Sequence, residues 1–137
     1  MNRVEIAAAL PKIAGEYLSP ELLSESATLL PHQTFADDEV LIFLSPHEGS
    51  MRVRVVLLTG ELVRAVTVSP IGIRQFSVPY KAIRYAAMRE EDSATTLSIS
   101  AGGVAPIDLE TGDLKQRSAF RAFYLKLSTF MAIAEKR

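Results

Sequence analysis

Two arginines two positions apart, Arg52 and Arg54, are the residues best placed to do chemistry. They lie in the stretch MRVRVVLLTGELVRAVTVS, residues 51–69. Side chains alternate along an extended chain, so both guanidinium groups fall on one face, about 7 Å apart. Arginine forks bind phosphate bidentately. An anionic headgroup or a phosphorylated metabolite is the ligand that such a pair would take. A second basic group follows in Arg74, Lys81, Arg84 and Arg89. Lys81 and Arg84 join Arg52 and Arg54 as candidate ligand-binding residues. Glu90, Glu91 and Asp92 come next and are able to neutralise this group. Solvated strand faces and charged strand edges that resist aggregation account for the same residues without any ligand.

Other constellations fall short of a reaction. His32 and His47 with Asp37, Asp38 and Glu39 have no metal-ligand spacing, and no HExxH stretch occurs. Asp37 and Asp38 are adjacent, so they point apart in a strand and make no acid–base pair. No GxSxG elbow is present. Gly102-Gly103 is too short for a phosphate loop and leads into a strand rather than a helix. The absence of cysteine removes disulfides, thiol catalysis and thiolate metal sites. The expectation is a non-enzymatic chain with no catalytic residue, no metal and no cofactor. A small enzyme of unrecognised type is the residual alternative. The net charge of −1, from 15 basic and 16 acidic residues, sets up no global field, and nucleic acid is not an expected partner. No run approaches the ~18 apolar residues of a transmembrane helix. With no leader-like segment at the start, a cytoplasmic location is expected.

The elements that must position these residues begin with the hairpin at residues 51–69. β-Branched residues and leucines fill both arms. Gly60-Glu61 suits a two-residue type II′ turn, with Gly60 supplying the positive φ. That turn pairs Thr59 with Leu62, Val55 with Val66 and Val53 with Val68. Val53, Val55, Leu57, Val66 and Val68 then share the core face. The other face carries Arg52, Arg54 and Thr67 far from the turn, and Val56, Leu58, Val63 and Ala65 near it. Its apolar end needs a cover, either from another part of the chain or from a second subunit. Val56, Leu58 and Val63, with Leu22 and Leu23 upstream, are therefore candidate interface residues.

Two short helices precede the sheet. Residues 2–17 favour helix with Asn2 as cap, and Pro11 is expected to break or kink it. Ser19-Pro20-Glu21 opens the second with a capping hydroxyl, proline in the first turn and an acid beside it. Their leucines and isoleucines pack on the outer face of the hairpin or on a second copy. Val40–Leu44 reads as a buried strand and Ser45–Ser50 as a loop. Arg74–Tyr80, with Pro79 at an edge or end, reads as the next strand. Ala82–Arg89 reads as strand or short helix, and Thr95–Ser100 and Val104–Leu109 as strands. Asp113 caps a last helix, about Leu114 to Glu135, with Phe120, Phe123, Leu127, Phe130, Met131 and Ala134 in one apolar stripe.

About seven antiparallel strands followed by one amphipathic helix make an α+β chain with a strongly bent sheet. In VLIFLSP with MRVRVVLLTGELVRAV, in SVPYKAIRYAAM, and in TLSIS with VAPIDL, it resembles the pleckstrin-homology-like (PH-like) domains of bacteria. The resemblance covers roughly residues 36–136. It implies a seven-stranded barrel capped by the C-terminal helix, and divides the chain into a helical extension, 1–34, and a PH-like domain, 35–137. In eukaryotic members basic residues at the start of the second strand contact phosphoinositides, and Arg52 and Arg54 sit in a similar place. The expected function is a non-catalytic protein-interaction or assembly module, recognising a protein or its own copy. The alternative is a binding domain for anionic lipid or a phosphorylated small molecule.

Overall fold

A computed structural model of the chain describes residues 1–15, 17–47, 50–103 and 106–137. The order is α1 (Arg3–Ala14), α2 (Pro20–Thr28), β1 (Val40–His47), β2 (Ser50–Leu58), β3 (Leu62–Ser69), β4 (Gly72–Pro79), β5 (Ile83–Glu90), β6 (Thr95–Ala101), β7 (Ile107–Thr111) and α3 (Leu114–Glu135). Short 3-10 turns cover Asp37–Glu39 and Tyr80–Ala82. The class is α+β with antiparallel pairing throughout. The strands form two sheets, one of four in the order β1-β2-β3-β4 and one of three in the order β5-β6-β7, which do not close into a single barrel. Among the described residues no helix is long and apolar enough to cross a membrane. The chain divides into two compact units, residues 1–57 with 64–76, and residues 58–63 with 77–137.

In the first unit α1 and α2 share a core with the hairpin. Ile6, Leu10, Ala14, Leu18, Leu23, Leu30 and Phe35 pack with Val40, Val53, Val55, Leu57, Val66 and Val68. The helices thus fold onto the Val53–Val68 face of the hairpin, not onto the outer face that the sequence offered them. Strand alternation alone does not say which of two apolar faces the neighbouring helices take. Residues 1–34 and the four-stranded sheet consequently share one hydrophobic core.

Local chemistry explains the helix ends. The Asn2 side chain accepts from Glu5 N at 2.9 Å, and Ser19 Oγ accepts from Leu22 N at 3.2 Å, with Pro20 directly after that cap. Pro11 does not break α1, which runs on to Ala14. Its missing N–H costs one hydrogen bond, but Ile6, Leu10 and Ala14 are fully buried on either side and hold the helix. Gly15 then ends α1 at φ +58°, and its N–H bonds Pro11 O at 2.9 Å. Arg3 reaches across to the end of α2, where its guanidinium donates to the Thr28 and Leu30 carbonyls.

β1 pairs with β2 from Val40↔Leu57 to His47↔Ser50. Ser45, Pro46 and His47 therefore belong to a strand where a loop was expected, and Glu48-Gly49 lies outside the described residues. β1 is an outer strand of its sheet, where a proline is tolerated.

In the second unit β6 pairs β5 on one side and β7 on the other. The stretch that the sequence left open between strand and helix is β5, with an irregularity between Ile83 and Tyr85. Val104 and Ala105 lie outside the described residues, and β7 starts at Ile107. α3 is capped by Asp113, whose carboxylate accepts from Lys115 N at 2.9 Å. Phe120, Phe123 and Leu127 are fully buried along its inner stripe, and the helix lies against β5, β6 and β7.

Candidate functional site

The candidate site of the second unit is built on Thr59. Its N–H donates to Leu62 O at 2.9 Å, the pairing that the sequence sets at the turn. Its hydroxyl accepts from Leu62 N at 3.1 Å and from Glu61 N at 3.2 Å. In a simple two-residue hairpin the Leu62 N–H would go to the Thr59 carbonyl. Here the side chain takes that donor, and the carbonyl is left to accept from the Tyr80 hydroxyl at 2.6 Å. Gly60 does not have the positive φ that the type II′ reading required. The threonine hydroxyl does the work assigned to glycine, as Ser/Thr turns do.

Tyr80 is 4% exposed. Pro79 and the 3-10 turn that follows present it to the hairpin tip, and its N–H points at Glu61 O, 3.4 Å away. Its ring stacks on Phe130 of α3, with centroids 5.4 Å apart and planes 24° from parallel. Lys126 Nζ lies 5.8 Å from the Phe130 centroid, within cation–π range.

Beside this stack is a half-open cleft of about 240 Å³, lined by Gly60, Glu61, Pro79, Tyr80, Lys81, Phe130, Ile133, Ala134 and Arg137. Its floor is aromatic and aliphatic. Glu61, Lys81 and Arg137 are exposed, and Ile133 is a large apolar side chain left 43% exposed. A nonpolar side chain fits such a floor, and the two cations against one carboxylate favour an acidic neighbour beside it.

Of the four candidate ligand residues, Lys81 lines this cleft, with Nζ 3.5 Å from Arg137 O. Arg84 is exposed on β5, and its guanidinium lies over Gly102: a Cβ there would come within 2.9 Å of Arg84 Cζ, Nε and Nη2. Arg52 and Arg54 are half-buried on β2, opposite Ser45 and Phe43. Arg52 Nε is buried and has no acceptor among the described residues. The pair belongs to the first unit, and Lys81 and Arg84 to the second.

The candidate interface residues are inside the single chain. Val56, Leu58 and Val63 are fully buried, Leu23 nearly so, and Leu22 is half-buried against the helical core.

The acidic turn after β5 engages α3. Glu90 accepts from Arg121 Nε at 2.7 Å, Arg89 meets Glu91 at 3.2 Å, and Arg117 Nη2 donates to the Glu91 and Asp92 carbonyls at 2.5 and 3.0 Å. His32 Nε2 lies 2.6 Å from Arg3 Nη1, so a guanidinium is its neighbour. Sequence reasoning missed Thr59, Glu61, Ile133 and Arg137 as site residues and placed Phe130 in the helix's apolar stripe. The Thr59-Gly60 pair before a turn and the apolar position Ile133 beside that stripe were the available signals. The chain matches no protein-family model, and no curated protein matches it.

Proposed function

We propose that the chain is a non-catalytic protein-interaction module of bacterial, cytoplasmic PH-like type. The order of seven strands before a long capped helix supports the family reading. The observation that carries the function is the Tyr80–Phe130 cleft with Ile133 exposed at its wall. Rigid stacked aromatics with an exposed aliphatic neighbour and a charged rim are what a short peptide segment anchors in. The segment that fits carries an apolar residue next to an acidic one, to meet Lys81 and Arg137.

A displayed-peptide selection on the folded chain tests this. Recovered peptides should share an apolar–acidic pair and lose affinity at least about tenfold on Ile133→Asp and several-fold on Lys81→Glu. Peptides that bind both variants like the wild type, or no enrichment at all, sink the reading.

A second reading, an anionic headgroup or phosphorylated metabolite at Arg52 and Arg54, is favoured by the buried Arg52 Nε, which has no acceptor among the described residues. Sedimentation with anionic vesicles is its test. Arg52→Ala and Arg54→Ala should each release the chain, and retention of both variants removes the headgroup.

A further inference from the structure

The outer face of the three-stranded sheet carries opposite charges at the two ends of one cross-strand row. β-Strand alternation sends Leu97, Ile99, Ile107 and Leu109 inward, where they are buried. It sends Tyr85, Ala87 and Arg89 of β5 outward, with Thr96, Ser98 and Ser100 of β6 and Asp108 and Glu110 of β7. The register is Arg89↔Thr96↔Glu110 in one row and Ala87↔Ser98↔Asp108 in the next. Each row thus runs from the β5 edge, through a small half-buried centre, to an exposed acid on β7. Arg89 and Glu110 stand two strands apart, about 10 Å.

We propose that this face docks on a second copy of itself, about a two-fold axis parallel to β6. The proposal rests on the interaction-module reading and adds the partner and the surface. Rotation about that axis keeps each row opposite its own counterpart and exchanges β5 with β7. Arg89 of one copy then faces Glu110 of the other, and Glu110 faces Arg89, while Thr96 meets Thr96. An axis across the strands would instead set β5 on β5 and β7 on β7, like charge on like. A cleft of about 410 Å³, lined by Tyr85, Ala87, Met88, Arg89, Thr96 and Ser98, lies where the second copy's carboxylates enter. Tyr85, 55% exposed, brings a hydroxyl one row from Asp108 of the second copy. Within the chain Asp108 accepts from Ser98 Oγ at 2.8 Å. The Arg89–Glu91 ion pair is exposed and solvent-screened, so it yields to a better-ordered partner.

Arg89 and Glu110 sit on one face in one row, so each meets the other across the two-fold axis, which is the mark of an isologous contact. The face is small. Three strands and the length of β5 give a footprint on the order of 350 Å² per copy, well below the ~800 Å² of a stable complex. The association is therefore weak and reversible, with a dissociation constant on the order of 100 μM or above.

Sedimentation equilibrium of the full chain, from about 10 μM to about 1 mM, reads it directly. The wild-type mass should climb from monomer towards dimer, and less so at high salt. Arg89→Glu and Glu110→Arg should each weaken association at least about tenfold, by setting like charges opposite each other. The double exchange Arg89→Glu with Glu110→Arg should restore it to within about threefold of wild type, which also shows that the single variants are folded. A wild type that stays monomeric throughout, singles that associate like wild type, or a double exchange no better than the singles overturns the proposal. Each of those outcomes leaves peptide capture at the Tyr80 cleft to be judged by its own variants.

Discussion

The base of the β2–β3 hairpin and its tip are held by different forces. At the base, Val53, Val55, Val66 and Val68 are buried in one cluster with Ile6, Leu10 and Leu23 of the helices. At the tip, residues 59–62 are fixed by directed bonds: a threonine hydroxyl closes the turn, and a buried tyrosine hydroxyl takes the carbonyl left over. Burial is non-directional and tolerates small shifts, whereas a hydrogen bond at 2.6 Å fixes geometry to within a few tenths of an ångström. The ligand-sized cleft is found where the directed bonds are. The buried base provides bulk stability, and the hydrogen-bonded turn provides shape.

The sharpest way to break this comparison is at the base. Leu10→Ala opens a cavity at a fully buried position and should cost about 2–5 kcal/mol in urea unfolding. A loss below about 1 kcal/mol would mean that the helices contribute little to the sheet. At the tip, Tyr80→Phe keeps the ring stack but leaves the Thr59 carbonyl without its donor. It should cost about 1–2 kcal/mol and speed amide exchange at Leu62. Unchanged exchange there would show that the stack alone fixes the tip. Asp113→Ala removes the cap of the helix that carries Phe130, and about 1 kcal/mol should be lost. The smallest effect should come from Arg121→Gln, which breaks a largely solvent-exposed ion pair with Glu90. Less than about 0.5 kcal/mol is expected, and a larger loss would mean that this pair anchors α3.

What the sequence revealed follows the same division. Caps and turns are local, and Asn2, Ser19-Pro20 and Asp113 were legible because their side chains act on amides two or three residues away. The hairpin was legible from alternation, and the inner stripe of α3 from its spacing. Pro11 does not end its helix because propensity is outweighed when Leu10 and Ala14 are buried on either side of it. Gly60 misled because a neighbouring hydroxyl can close a turn as well as a positive φ does. Val56, Leu58 and Val63 are buried, and their apolar face shows that a cover is needed without saying where the cover comes from. The cleft was least visible. It depends on Glu61, Tyr80 and Phe130 meeting across gaps of 19 and 50 positions, which no window of the chain contains.

The buried tyrosine also has an optical meaning. The chain has no tryptophan and four tyrosines. Tyr17 and Tyr85 are more than half exposed and Tyr124 is half-buried, whereas Tyr80 is enclosed, bonded through its hydroxyl and stacked on a second ring. A ring fixed in this way should dominate the near-ultraviolet circular dichroism of the protein, because that signal needs a rigid asymmetric setting. The molecule therefore carries an intrinsic reporter at its own cleft. Occupancy there should be readable in unlabelled protein, as a change in one aromatic band.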